Sequence, residues 1–188
     1  MRLIFHTSII LALFTFPARA ERPKDLSFPS PDGRWKITAS WISDSDPNDS
    51  GHYAYELQDI KLGKSYFKEG YTDKSDETIA YPHRISAYWS PKGSYVAINV
   101  YYGRIAYWLS IIDVSGRYPR EVPLFPEKMT DYDDFMTSAD HWLDDNSLEV
   151  EAYQPVNWSE KHVVTAYKLV VRFEKGGSIV AKREKEQP

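Results

Sequence analysis

The side chains best suited to chemistry in this chain are its histidines and its clustered carboxylates. Four histidines follow residue 20, and none lies within four residues of another: His52, His83, His141 and His162. The sequence contains no Gly-x-Ser-x-Gly elbow, no His-Glu-x-x-His pair, no phosphate-binding glycine loop and no cysteine. It therefore predicts no catalytic residue, no metal ligand and no cofactor. A small hydrolase built from distant residues stays open as an alternative.

Two acidic segments resemble metal-binding loops only in part. The segment Asp44–Gly51 places oxygen-bearing side chains at alternate positions, as calcium loops do. Its sixth position is Asp49 where such loops have glycine, and its twelfth is Tyr55 where they have glutamate. The run Asp131–Asp134 is more typical of a solvated helix start than of a metal site. Both patterns therefore favour solvated segments over metal sites.

Aromatic residues crowd one predicted hairpin. Aromatic rings with an arginine among them are typical of surfaces that recognise a protein or a carbohydrate. The candidate ligand-binding residues are Tyr101, Tyr102, Arg104, Tyr107 and Trp108. The alternative is cross-strand aromatic pairing that stabilises the sheet. Strand alternation sends Tyr101 and Tyr102 to opposite faces, so part of the set is expected in the core.

The elements that carry these residues are predicted to be strands. Seven segments rich in β-forming residues alternate in polarity: Arg34–Ile42, Tyr53–Ile60, Arg84–Trp89, Ser94–Tyr102, Ala106–Val114, Leu148–Tyr153 and Val163–Phe173. Between them, Lys68–Thr78 is predicted to be a long polar loop. The spacing of apolar residues predicts one short connector helix over Pro126–Ala139. The charged tail Lys182–Pro188 is predicted to fray.

A turn motif recurs before three of these strands. Ser30-Pro31-Asp32-Gly33 reappears as Ser90-Pro91-Lys92-Gly93, and a degraded copy reads Leu143-Asp144-Asp145-Asn146. Proline restricts φ at the first corner and glycine closes the turn. Two antiparallel strands can then leave the turn in a defined register. The motif therefore indicates an internal repeat of hairpins.

This repeat resembles the blades of TolB-type and WD40-like β-propellers, in which a Trp-Ser-Pro-Asp-Gly turn precedes an apolar strand. Here Trp89-Ser90-Pro91-Lys92-Gly93 precedes the strand Tyr95–Val100. The resemblance covers residues 28–63 and 87–116 and extends weakly over 140–176. Closed propellers need at least about four blades of about 40 to 45 residues. The expected fold is therefore all-β, with antiparallel hairpin repeats resembling an incomplete β-propeller. A two-sheet β-sandwich that reuses the same hairpin is the alternative.

The start of the chain has the features of a cleavable secretory signal. Met1-Arg2 precedes an apolar stretch, Ser8–Pro17, and then Ala18-Arg19-Ala20, which has small residues at both recognition positions. We expect cleavage after Ala20, which leaves residues 21–188 as a single β domain. A secreted or periplasmic location follows. No later stretch is apolar over about 20 residues, so no membrane span is expected after cleavage.

Composition limits the partners. Removing residues 1–20 takes away two arginines and no acid, which leaves 21 basic and 27 acidic residues and a formal net charge of −6. An acidic chain is not expected to bind nucleic acid. Three blade-like units would leave sheet edges open, but charged residues and the net charge oppose stacking of chains. A monomer is therefore favoured.

These patterns favour an exported, non-enzymatic binding or scaffolding domain whose partner is a protein or a carbohydrate. The first alternative is a periplasmic inhibitor or immunity-type protein that blocks a cell-wall enzyme. It rests on Ser115-Gly116-Arg117-Tyr118, which resembles the Ser-Gly-x-Tyr element of bacterial periplasmic lysozyme inhibitors. The second alternative is the small hydrolase.

Overall fold

All regular structure in the described part of the chain is β strand. The computed structural model describes residues 25–42, 52–69, 84–102, 106–125, 136–156, 163–174 and 177–185. Within these ranges twelve strands form three antiparallel sheets of four strands each, and none of the sheets closes into a barrel. Each sheet is a meander, because strands that follow one another in sequence lie side by side.

Each sheet uses one continuous part of the chain. The first sheet contains β1 (Leu26–Pro29), β2 (Trp35–Ile42), β3 (His52–Asp59) and β4 (Lys64–Glu69). The middle sheet contains β5 (Arg84–Trp89), β6 (Tyr95–Tyr102), β7 (Ala106–Asp113) and β8 (Arg120–Val122). The third sheet contains β9 (Met136–Trp142), β10 (Ser147–Val156), β11 (Val163–Glu174) and β12 (Gly177–Lys185).

The middle sheet is buried on both faces. Ile98 and Val100 of β6 lie in one core with residues of the first sheet, among them Trp35. Ala97 of the same strand points the other way, into a second core that contains Leu148 of the third sheet. Because successive side chains of a strand alternate between faces, an almost entirely apolar strand suits this position. The three sheets therefore stack in chain order, with two separate cores between them.

The two outward faces of the stack carry polar side chains. Lys36 and Thr38 alternate with core residues along β2, and both are half-buried. Glu149 alternates with core residues along β10, and its Oε1 lies 3.7 Å from Nζ of Lys168 on β11. Terminal units of stacked repeats commonly have such polar outer faces. A fourth sheet packed on either face would have to bury these charges, which is unfavourable.

Five of the six edge strands in the described sheets are short or interrupted; β5 is the exception, with six residues in continuous register. β1 has four residues and β8 has three. Register shifts leave one extra residue in each of β4, β9 and β12, at Phe67, Asp140 and Ala181. The backbone of Ala139 in β9 is also capped by Asn99 of the middle sheet, which is 1% exposed. Short edges, bulges and caps of this kind discourage the addition of another strand.

The seven predicted strands are confirmed and correspond to β2, β3, β5, β6, β7, β10 and β11. The predicted all-β class is confirmed as well. The repeated turn joins the first two strands of each sheet, so the hairpin repeat is a real structural unit. The described residues form three sheets, whereas the sandwich alternative has two.

The predicted connector helix is wrong where the structure describes it. Residues 136–139 belong to β9, and residues 126–135 lie outside the described residues. Met136 pairs with Tyr153, and Thr137 pairs with Ala152 of β10. Helical spacing in a short apolar segment is weak evidence, because a neighbouring strand that offers backbone hydrogen bonds overrides it.

Two further predictions are wrong at their edges for the same reason. Lys68 and Glu69 belong to β4, whereas residues 70–78 of the predicted loop lie outside the described residues. Lys182 and Lys185 belong to β12 and pair with Val170 and Tyr167. Charged residues are tolerated in an edge strand because one side of it faces solvent.

Within the described residues, no helix is long and apolar enough to cross a membrane.

Candidate functional site

The repeated turns have the geometry that their sequence predicts. In the first, the Gly33 amide donates to the Ser30 carbonyl at 3.0 Å, and the Trp35 amide donates to Ser30 Oγ at 2.9 Å. In the second, the amide of Gly93 donates to the carbonyl of Ser90 at 2.8 Å. Gly33 and Gly93 have φ of 69° and 77°, a left-handed conformation that favours glycine. The glycine of the motif is therefore required by the backbone.

Adjacent sheets are joined by a repeated hydrogen bond from a tryptophan. Nε1 of Trp89, the last residue of β5, donates to the carbonyl of Phe28 on β1 at 2.9 Å. Nε1 of Trp142, the last residue of β9, donates to the carbonyl of Tyr88 on β5 at 2.9 Å. Phe28 and Tyr88 occupy equivalent positions, two residues before the serine of the turn. The last residues of the first strands of adjacent sheets therefore meet at both junctions.

Asp145 of the third turn completes the second turn. Its Oδ1 accepts hydrogen bonds from Ser90 Oγ at 2.7 Å and from the amide of Lys92 at 2.9 Å. Its Oδ2 accepts from Ser94 Oγ. In the first turn the carboxylate is local, because Ser30 Oγ donates to Asp32 Oδ1 at 2.6 Å. In the second turn, Lys92 occupies the position of that aspartate. The carboxylate is supplied instead by Asp145 of the neighbouring sheet.

The electrostatics of Asp145 follow from these contacts. Burial alone would raise the pKa of its carboxyl group. The hydrogen bonds from Ser94, Ser90 and the backbone of Lys92, together with the charge of Lys92, outweigh burial and lower the pKa below its ordinary value. Asp145 is therefore held as a carboxylate at the junction of two sheets.

The aromatic hairpin lies at the opposite end of the middle sheet from the turns. β6 begins just after the second turn and ends at Tyr102, and β7 returns from Ala106. Trp108 is 62% exposed, although it pairs directly with Val100, which is buried. Tyr101 is half-buried, and the guanidinium of Arg84 lies 5.2 Å from its ring centre.

Two of the five candidate binding residues can be placed by face, and they lie on opposite faces of the middle sheet. Tyr101 and Val100 are consecutive on β6, and Trp108 pairs with Val100, so Tyr101 and Trp108 lie on opposite faces of the sheet. Arg104 lies outside the described residues. Tyr102 and Tyr107 are described as strand positions only, with Tyr107 paired to Tyr101. The side chain of Trp108 is exposed, whereas that of Tyr101 is half-buried.

A second exposed group lies in the turn after β7. Residues Ser115 to Tyr118 are all exposed, and the ring of Tyr118 stacks under the guanidinium of Arg117 at 5.3 Å. The turn is anchored by Asp113, which accepts from Ser115 Oγ at 2.6 Å and from Arg120 Nη2 at 2.8 Å. Burial would raise the pKa of Asp113, but the hydrogen bonds from Ser115 and Arg120 outweigh it and lower the pKa. The buried carboxylate of Asp113 thus fixes the conformation of the exposed turn Ser115–Tyr118.

A shallow pocket of about 510 Å³ opens beside the third turn. Its walls include the cations Lys92 and Arg172 and the carboxylates Asp144 and Asp145. Both carboxylates accept hydrogen bonds from the turns, with Asp144 accepting from the amide of Asn146 at 2.7 Å. The pocket therefore brings carboxylates together with cations, and no histidine lines it.

One group of potential metal ligands was missed by the sequence analysis. A donor atom from each of Asp140, His141 and Glu149 lies within 4.8 Å of the others. His141 looked isolated in the sequence, because Glu149 reaches it only through the pairing of β9 with β10. The adjacent Asp140-His141 pair is the only local signal that could have suggested the group. The two acidic segments considered from the sequence, at 44–51 and 131–134, lie outside the described residues.

No protein-family model and no curated protein matches this chain. The fold and the contacts between its sheets define the class of protein directly. It is an all-β protein of three stacked four-stranded meanders, an arrangement compatible with blade-like repeats.

Proposed function

We propose that this protein is an exported, non-enzymatic binding domain, and that it recognises a protein or a carbohydrate through the hairpin that carries Trp108. The observation that carries the proposal is the 62% exposure of this indole on a regular strand. Exposing a large rigid aromatic ring is unfavourable in water, and such rings supply much of the energy at recognition surfaces.

The surroundings of Trp108 support a role beyond the packing of the sheet. The neighbouring pairs on the same face, Ile98–Ser110 and Val96–Ile112, are buried. Trp35, which lies in the core beside this face, is 1% exposed. This face of the sheet is therefore buried along most of its length and becomes exposed at Trp108. A partner that covers the ring would extend the first core outward.

We further propose that the three sheets are related to the blades of TolB-type or WD40-like propellers. The repeated turn, the meander within each sheet and the equivalent tryptophan bonds between sheets support this relationship. In such a relationship the loops at the ends of the sheets are the natural binding surface. The hairpin that carries Trp108 lies at one of these ends.

The experiment is a comparison of two surface variants of the exported chain. Wild type, Trp108→Ala and Tyr118→Ala are immobilised and probed with a glycan array and with a periplasmic extract. Tyr118 is a matched control, because it is 59% exposed and lies at the other end of β7. We expect wild type and Tyr118→Ala to retain the same glycan or protein, and Trp108→Ala to lose at least about tenfold in affinity, as large interface aromatics do. Equal retention by Trp108→Ala would show that this hairpin is not the binding site.

The exposed turn Ser115–Tyr118 favours a second candidate function, the inhibition of a cell-wall enzyme. The turn projects four consecutive exposed residues from a rigid anchor at Asp113, which suits insertion into an enzyme cleft. The test is whether the exported chain slows the lysis of bacterial cell walls by lysozymes. Here the roles of the variants are exchanged. Tyr118→Ala should abolish inhibition and Trp108→Ala should preserve it, whereas the opposite pattern would favour the first proposal.

A further inference from the structure

The group formed by Asp140, His141 and Glu149 lies on the outward face of the third sheet. Glu149 is flanked on β10 by Leu148 and Val150, which point into the second core. Alternation therefore directs Glu149 away from the core. His141 is its direct cross-strand partner on β9, so the two side chains lie on the same face.

A β-bulge brings the third ligand to the same place. In a regular strand, consecutive side chains point to opposite faces, and Asp140 would be directed away from His141 and Glu149. Glu149 pairs with His141 and Val150 pairs with Ala139, which leaves Asp140 as an extra residue in β9. Bulges of this kind redirect side chains and occur frequently beside functional sites. Asp140 Oδ2 consequently lies 3.2 Å from Nδ1 of His141.

We propose that Asp140, His141 and Glu149 bind a divalent first-row transition ion, with Zn²⁺ as the best fit. One imidazole nitrogen and two carboxylate oxygens form a donor set that zinc accepts, at bond lengths of about 2.0 to 2.2 Å. Ligand atoms of a tetrahedral zinc site are then about 3.5 Å apart. The donor atoms lie within 4.8 Å of one another, so small rotamer changes of half-exposed side chains close the site. Three protein ligands leave the fourth position open to water or to a donor from a partner.

Lys168 provides an internal check on this site. Its Nζ lies 3.7 Å from Oε1 of Glu149, so its positive charge competes with a cation for the same carboxylate. Removing this charge while keeping most of the side chain should strengthen metal binding. Loss of a purely structural ion pair would not have that effect.

The experiment titrates metal-free exported chain with ZnCl₂ by calorimetry and repeats the titration with CoCl₂, whose visible spectrum reports the coordination. Wild type should bind one ion per chain. His141→Ala and Glu149→Gln should each weaken binding at least about tenfold, as loss of one of three ligands implies. Lys168→Gln should tighten it several-fold.

The matched control is Glu174→Gln, because Glu174 is exposed and lies on the outward face of the same sheet, outside the group. It should bind zinc as wild type does. Circular dichroism of each variant confirms that the sheets are formed. A wild-type chain that takes up no zinc, or uptake that survives His141→Ala, overturns the proposal. Equal weakening by Glu149→Gln and Glu174→Gln would overturn it as well, because it would indicate attraction by general negative charge. None of these outcomes depends on the ligand proposed for Trp108.

Discussion

Nε1 of Trp142 donates a hydrogen bond to the carbonyl of Tyr88 across the junction between the third and middle sheets, at 2.9 Å. The indole also stacks on Tyr95 of the middle sheet, with ring centres 5.9 Å apart. Trp89 makes the equivalent bond to Phe28 at the other junction. The same contact therefore connects both pairs of adjacent sheets, and it sets how each sheet lies against the one before it.

This contact makes Trp142→Phe a test of the junction. Phenylalanine keeps an aromatic ring but cannot donate a hydrogen bond, and a lost bond of this type costs about 1 kcal/mol. We expect the free energy of unfolding in urea to fall by about 1 to 2 kcal/mol, including some lost stacking. Trp108→Phe is the control and should change stability by less than about 0.5 kcal/mol, because the ring is exposed. Equal effects of the two changes would mean that the indole bond does not hold the junction.

Asp145 should make stability depend on acidity. Its pKa in the folded protein is lowered from the ordinary value of 3.8, so the carboxylate stabilises the fold above that value. This contribution is lost as the pH falls through the lower folded pKa. At pH 7, Asp145→Asn should reduce the free energy of unfolding by about 1 to 3 kcal/mol, because donors of the second turn lose their charged acceptor.

The difference between wild type and Asp145→Asn should shrink below about pH 4, where the carboxyl group of Asp145 in the unfolded chain begins to take up its proton. Denaturation curves between pH 2 and pH 8 measure it. Asp140→Asn is the control for removing an exposed aspartate from the same sheet. A difference that stays constant across this range would show that the charge of Asp145 is not what stabilises the turn.

Gly93 should resist substitution because of its backbone conformation. Its φ of 77° is positive, so a valine is strained there. A Cβ at Gly93 would lie 3.4 Å from Oδ1 of Asp32 and 3.5 Å from Cδ of Pro31, which are ordinary van der Waals distances, so the positive φ is the cause of the strain. We expect Gly93→Val to lower the free energy of unfolding by about 1 to 3 kcal/mol. An unchanged melting temperature would show that the second turn is not essential.

The exported chain should be a monomer. Bulges in β4, β9 and β12 interrupt three of the edge strands, and charged side chains cover the outer faces of the stack. Light scattering at moderate salt should therefore give a single monomeric mass. A discrete dimer would mean that the blade-like sheets are completed between chains despite these features.

The mature protein should begin at Glu21. The prediction rests on the pattern of residues 1–20, which lie outside the described residues. Intact mass and N-terminal sequencing of the exported product check it. A product in the periplasmic fraction that still carries Met1 would contradict the export prediction.

The sequence by itself determined the strands and turns that depend on neighbouring residues. Alternation in β2 and the apolar run in β6 were sufficient to predict strands, because burial follows from the direction of successive side chains. The turn at Gly93 could be predicted in the same way, because proline fixes φ and glycine permits the positive φ that the turn requires.

Only the tertiary structure decided the features that depend on distant partners. β9 is a strand because β10 pairs with it, although its residues also fit a helical spacing. Asn99 sits within an apolar strand because its side chain bonds to the backbone of Ala139, forty residues away. Glu149 meets His141 through the register of β9 and β10, and a bulge that no residue type predicts brings Asp140 to the same place. Local propensity acts over a few residues, whereas pairing and packing join segments whose contact is set by the whole fold.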